Sequence, residues 1–261
     1  MRSSYRRAGG AGNVRVVCGH CRWLPAALAV NLSLVTHAPP PTVPAQVRQT
    51  PFAPFVAYVL AFHLAWIAWP FFIYPRLTAL GQTTLTYAVI DIGLRLVIWV
   101  APVLLYLRYV DGVRPLDYLK LTHHVRRGLV VAAALTVVNV LGSMLRFGPP
   151  QLSMERVTWN TVLGTSFLVG FIEEILYRGF ILQKFTDRVG FWLANLLTSL
   201  LFLGIHLPGW MALHALSADM AGTVFIIGAV LAIAFKYSGS LWAPIVTHSA
   251  NNFLSFVLFR R

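Results

Sequence analysis

Between residues 53 and 259 the chain alternates long apolar runs with short polar gaps. Seven runs stand out, with approximate limits 53–73, 85–107, 128–145, 159–181, 191–206, 219–235 and 241–259. They approach the roughly 20 residues that carry a helix across a hydrocarbon core. Backbone in lipid must satisfy its own hydrogen bonds, so each run predicts a helix. The pattern therefore predicts an all-α, polytopic transmembrane helix bundle of about seven spans. An eighth arises only if the short stretch Trp23–Val35 also inserts. That stretch follows Arg2, Arg6, Arg7, Arg15 and Arg22 and precedes Pro39, Pro40, Pro41 and Pro44. It has the form of a signal-peptide h-region with Ala38 at the cleavage point. Cleavage would leave the following linker outside, against the loop charges, so 1–52 is read as a basic, Pro-rich, poorly ordered or interfacial extension. Residues 53–157 then form the N-terminal transmembrane helices, and 158–261 a second group that carries the informative polar residues.

Composition supports this picture. Of 261 residues 57% are hydrophobic and 11% charged, against about 45–50% and about 25% in soluble domains. Mean hydropathy is +0.70. An ordinary soluble enzyme is excluded. The net charge of +13 would suit nucleic acid, but the basic residues sit mostly in the gaps between apolar runs, as in loops held at a membrane surface. The partners expected are membrane lipids and no nucleic acid. With the N-terminus inside, the inner regions hold Arg2, Arg6, Arg7, Arg15, Arg22, Arg48, Arg108, Arg114, Lys120, Arg126, Arg127, Lys184, Arg188 and Lys236. The outer regions hold only Arg76, Arg146, Arg156, Arg260 and Arg261. This asymmetry predicts a cytoplasmic N-terminus, with Arg260 and Arg261 on the wrong side. Two cysteines build no disulfide framework. The chain reads as an integral, multi-pass membrane protein, of the plasma membrane if bacterial.

An ionisable side chain inside a span is costly, so the residues that break the apolar pattern carry the information. Glu173 and Glu174 are adjacent in Phe167–Arg178, FLVGFIEEILYR. Neighbours on a helix point about 100° apart, so the two acids face different ways. Glu174 and Arg178 stand at i, i+4 with the acid first, the better order for an ion pair. Glu173 shares its face with Tyr177 instead. It is therefore the acid left to exchange a proton, as a general base or acid requires. A second signal is Phe202-x-x-x-His206, near the end of an apolar helix that Pro208 and Gly209 end or bend. A third is Ser238-Gly-Ser-Leu-Trp-Ala-Pro244 leading to His248 and Asn252, again at i, i+4. Two such groups in a dry site can hold an oxyanion; equally, they can be interhelical hydrogen-bond glue.

Glu-Glu-x-x-x-Arg, Phe-x-x-x-His and His-x-x-x-Asn, in that order on three late helices, resemble the CPBP family. These are the type II CAAX prenyl endopeptidases and bacteriocin-processing or immunity (Abi-like) proteins, described as intramembrane metalloproteases. The resemblance covers roughly residues 160–256. It implies a catalytic core at 158–261, in which Glu173 activates the attacking water with help from His206. Glu174 and Arg178 orient and charge the site, and His248 and Asn252 form the oxyanion hole. The implied activity is hydrolysis of a peptide bond in the membrane or at its inner face. The implied partner is a peptide or protein substrate, with a lipidated C-terminus in the best-known relatives. The metalloprotease label implies a divalent metal, zinc, held by Glu173, His206 and His248. The usual His-Glu-x-x-His signature is missing, and water activated by Glu173 without metal suits the same residue types.

Rival readings are a non-catalytic immunity or scaffold protein that keeps these residues as glue, and an ion-coupled transporter, for which repeats and interrupted helices are the signal. A serine protease using Gly164-Thr-Ser166 departs from the Gly-x-Ser-Gly pattern of rhomboids. Cys18-Gly-His-Cys21 matches a disulfide-isomerase tetrapeptide without its βαβ setting and is read as incidental. Asp91 and Arg95 are read as a structural ion pair, His63 as an interior or interfacial histidine, and His123, His124, Arg126 and Arg127 as a lipid-headgroup collar. His214 and Asp219 are read as solvated loop residues. One feature of the drawn helices fits poorly. Counted at about 1.5 Å per residue from the inner ends, Glu173 and His248 lie level but His206 lies deeper. A tilt, a kink or a helix starting below the surface is required.

Overall fold

The computed structural model describes residues 51–259. Residues 1–50 of the expected 1–52 extension, with its cysteines and short apolar stretch, and Arg260 and Arg261 lie outside the described residues. Every regular element among the described residues is helical. Seven long rods form: α1 Phe52–Thr78, α2 Leu85–Val110, α3 Val125–Phe147, α4 over 160–189, α5 Phe191–Gly204, α6 Ala218–Ser238 and α7 Trp242–Leu258. A short helix, Leu207–Ala212, continues beyond α5. Five helices are long and apolar enough to cross a membrane: α1, α2, α3, α5 with its continuation, and α6. The two others are α4, which carries the Glu-Glu-x-x-x-Arg motif, and α7, which has 17 residues. The protein is thus an integral membrane helix bundle, and the expected seven apolar runs correspond one to one with its rods.

Local chemistry sets the rod ends. Thr84 Oγ1 accepts from Tyr87 N (3.1 Å) ahead of α2, and Ser217 Oγ accepts from Met220 N (3.2 Å) ahead of α6, each satisfying a donor that a helix start leaves open. Gly190, at φ 76°, separates α4 from α5 without a Cβ to clash. Aromatic packing fastens α1 and α2 around α4. Phe55 and Tyr106 lie edge-on to Phe180, with ring centres 5.6 and 5.2 Å apart. On the far side α7 packs along α3 and α4. The approach to α4 is close at Gly170, where a Cβ would sit 2.9 Å from the backbone nitrogen of Ser249.

The depth mismatch is resolved here. Helix α4 does not stop near residue 181 but runs to Val189, because Lys184, Asp187 and Arg188 extend the helix while ending the apolar run. From Val189, Glu173 lies about 24 Å up the rod; from Phe191, His206 lies about 22 Å up α5, so they are level. Helix α7, in turn, starts inside the bundle. Ser238, Ser240 and Leu241 are completely buried, and Leu241 packs against Gly179, well within α4. The 115–124 segment covers this turn. The carbonyl of Lys120 accepts from Leu241 N (3.2 Å), and that of Leu121 from Trp242 Nε1 (2.8 Å). His124, in the expected basic collar, lies against Gly239 of the turn.

Candidate active site

The acid–base residues of the three motifs meet between α4, α5 and α7. Glu174 and Arg178 form the predicted pair, with Nη1 donating to Oε1 at 2.7 Å and both side chains fully buried. The second terminal nitrogen is used as well, while Nε has no hydrogen-bond partner among the described residues. Nη2 donates to the carbonyl of Gly228 on α6 (2.9 Å), and Cζ lies 4.4 Å from the ring centre of Phe202. An unpaired charge at this depth would be prohibitive, so the pair, the carbonyl and the ring together make the position tenable.

Sequence spacing did not reveal where this pair leads. The same Oε1 of Glu174 accepts a second hydrogen bond, from His248 Nδ1 at 2.8 Å. A carboxylate accepts only, so Nδ1 carries the hydrogen and Nε2 is turned toward Glu173. Arg178, Glu174 and His248 thus form one line of contacts across α4 and α7. Its end, His248 Nε2, is 3.9 Å from Glu173 Oε2. Glu173 itself is buried, and Oε2 has no hydrogen-bond partner among the described residues. Buried polar atoms are rarely left so. From Ile175 to Ile181 the turns of α4 widen to π-helical form, a form often found at functional sites.

His206 stands at the break between Gly204 and Leu207. Its Nδ1 donates to the carbonyl of Phe202 (2.8 Å), which leaves Nε2 with a lone pair. The Phe202 ring is 5.1 Å from the His206 ring and 5.8 Å from that of His248, seated between the two histidines. Asn252 Nδ2 donates to the carbonyl of Thr165 (3.0 Å), and its Oδ1 accepts from Asn251 Nδ2 (3.2 Å). One Nδ2 hydrogen of Asn252 remains.

Glu173, His206, His248 and Asn252 all line one cavity of about 330 Å³, together with Thr165, Asn251, Trp66 and Arg95. Glu174 and Arg178 stand behind its wall. A larger cavity of about 510 Å³ adjoins it at Thr165 and Asn252, toward Arg156 and Phe259. A small apolar cavity of about 170 Å³ between α3 and α6 reaches His248 and Asn251 from the side. Asn251 was not a candidate from sequence; its place beside Asn252 was its only signal. Tyr177 was noted for sharing a face with Glu173. Its hydroxyl donates to His63 Nε2 (3.1 Å), while His63 Nδ1 donates to the carbonyl of Val59 (2.7 Å), fastening α1 to α4. Ser166 is buried but is not among the cavity walls, which removes the geometric basis for a serine nucleophile. Asp219, read as a solvated loop residue, pairs with Arg146 at 2.5 Å.

Ligands sharing a tetrahedral zinc, each about 2.0–2.2 Å from it, stand roughly 3.4 Å apart. Glu173 and His248 are further apart than this, and no three His, Cys, Asp or Glu side chains converge into a metal-holding group among the described residues. As arranged, the donor set expected for zinc does not fit one.

The apolar helix bundle thus encloses a polar cavity lined by a carboxylate and two histidines. Residues 155–254 match the family model described as type II CAAX prenyl endopeptidase Rce1-like. The match spans α4 to α6 and most of α7 and supports the resemblance carried by the three motifs. No curated protein and no solved structure matches the chain.

Proposed function

We propose that this protein is an intramembrane endopeptidase that hydrolyses a peptide bond with water activated by Glu173. One observation carries the reading: a buried carboxylate oxygen without a partner faces a polar cavity that it shares with two histidines. Glu174 Oε2 and Arg178 Nε also lack partners, but of these three residues only Glu173 lines the cavity. A general base needs an unengaged atom of this kind.

Glu173 Oε2 takes a proton from water as the water oxygen bonds to the substrate carbonyl carbon. His206 Nε2, whose ring is held by the Nδ1–H bond to Phe202, accepts the second water hydrogen and fixes the attack direction. The oxyanion receives the remaining Nδ2 hydrogen of Asn252 and, in the protonated form of His248, the hydrogen on Nε2. Such donors are set in place before reaction and cost no reorganisation. Arg178 and Glu174 act through His248 by holding its ring. The protonated Glu173 then gives its proton to the leaving nitrogen as the C–N bond breaks, yielding an acid and an amine. No step runs through a metal.

The apolar side cavity suits a substrate with an apolar or lipidated segment drawn from the bilayer. The test is proteolysis of a prenylated Cys-aliphatic-aliphatic-X peptide by purified protein in detergent. Wild type should cleave it and Glu173→Gln should not; full activity in Glu173→Gln overturns the reading. A non-catalytic scaffold predicts no cleavage by either.

A further inference from the structure

The cavity contains one cation that the mechanism does not use. Arg95 lies on α2, about 15 Å from the start of the rod and outside the segment that matches the protease family. Its partner Asp91 is buried, and the two meet side-on. Nε is 3.1 Å from both Oδ1 and Oδ2, and neither Nη makes a hydrogen bond among the described residues. The usual arginine–carboxylate contact is a two-pronged fork; here the prongs are left open. The side chain retains 18% exposure, and it is a wall of the same cavity as Glu173. Trp66 and Trp69 flank it, with ring centres 5.8 and 5.9 Å from Cζ, and the two indoles are themselves stacked. Trp66 is fixed in turn by its Nε1 bond to the carbonyl of Ile205, next to His206 (3.2 Å).

We infer that Arg95 is a substrate-binding residue whose open guanidinium fork receives a carboxylate of the peptide being cleaved. Asp91 and the two indoles hold the plane of the guanidinium, and its four Nη hydrogens meet an anion within the cavity. Carboxylate is the class that fits: planar, two-oxygen and carried by peptides. It comes either from the chain terminus or from an acidic side chain near the scissile bond. Lysine would supply the charge without the fork.

The inference rests on the peptidase reading, and the test separates the two. The probes are three forms of a prenylated Cys-aliphatic-aliphatic-X peptide: free acid, C-terminal amide, and amide with a glutamate near the end. With full-length wild type, the carboxylate-bearing form should show a KM about ten- to a hundredfold below the plain amide. Preference for the free acid names the terminus as source, and preference for the glutamate peptide names a side chain. Arg95→Lys should lose the preference. Asp91→Asn/Arg95→Gln removes both buried charges together, so it guards against misfolding, and should lose it too. No preference in wild type, or one that survives in both variants, overturns the role of Arg95 and leaves that of Glu173 untouched. Should wild type cleave none of the three, the peptidase reading fails by itself, and Arg95 is judged from equilibrium binding. Tighter binding of a carboxylate form than of the amide, abolished in the variants, then supports the inference; equal binding overturns it.

Discussion

Two arginine–acid pairs lie inside this bundle with the same sequence spacing, acid first and arginine four residues on. Arg178 and Glu174 are fully buried, and both Nη groups of the arginine are committed, one to the acid and one to Gly228. Arg95 and Asp91 share a single nitrogen, and the rest of that guanidinium faces a cavity. The first pair is a brace: it joins α4, α6 and, through His248, α7. The second is an arm held at the elbow. One spacing rule thus yields two devices, and the difference comes from what the neighbouring helices offer. A carbonyl and a histidine meet the first pair, and two indoles and a cavity meet the second.

The strongest way to break this contrast is Arg178→Ala. Removing one partner of a buried pair should cost about 3–5 kcal/mol and abolish activity, as read by thermal unfolding in detergent and peptide cleavage. A small effect would show that the brace is not one. Glu173→Gln should instead lower cleavage by about 10²–10⁴-fold while leaving the melting temperature equal or higher, because its buried oxygen has no partner to lose. Parallel loss of stability would assign Glu173 to the brace. Gly170→Ala forces a Cβ against Ser249 and should cost about 1–3 kcal/mol, as overpacking does; reduced activity should follow as His248 moves away from Glu174. Tyr177→Phe removes one hydrogen bond to His63, worth about 1 kcal/mol. It tests whether α1 is fastened to α4 at that point or only by packing. The smallest expected effect is none: a chelator such as EDTA should leave cleavage by the purified protein unchanged. Loss of activity restored by zinc would show that Glu173, His206 and His248 draw together around a metal.

Much of this was legible in the sequence, for reasons of cost. Lipid forbids stray polar groups, so apolar runs mark the rods, and the acids that interrupt them mark the site. The Glu174–Arg178 pair followed from helical spacing alone. The end of α4 did not, because hydropathy reports where lipid stops and not where the helix stops; Lys184, Asp187 and Arg188 carry it on. Nor could spacing within one helix reveal that Glu174 meets His248, a contact 74 residues distant in sequence. Arg95 was read as a structural ion pair. The pairing is correct, but whether the guanidinium engages one nitrogen, as in Arg95, or two, as in Arg178, is decided by neighbours from other rods. Asn251 was hidden in the same way beside the more conspicuous Asn252.

The buried turn at Ser238–Trp242 bears on how the molecule is made. A rod whose first residues are enclosed by Gly128, Gly179 and Lys120 reaches its final place only when the elements carrying those residues are there to receive it. His248 and Asn252 lie on that rod, so during synthesis Glu173 faces no histidine from it until the stretch beginning at Trp242 has been translated and packed.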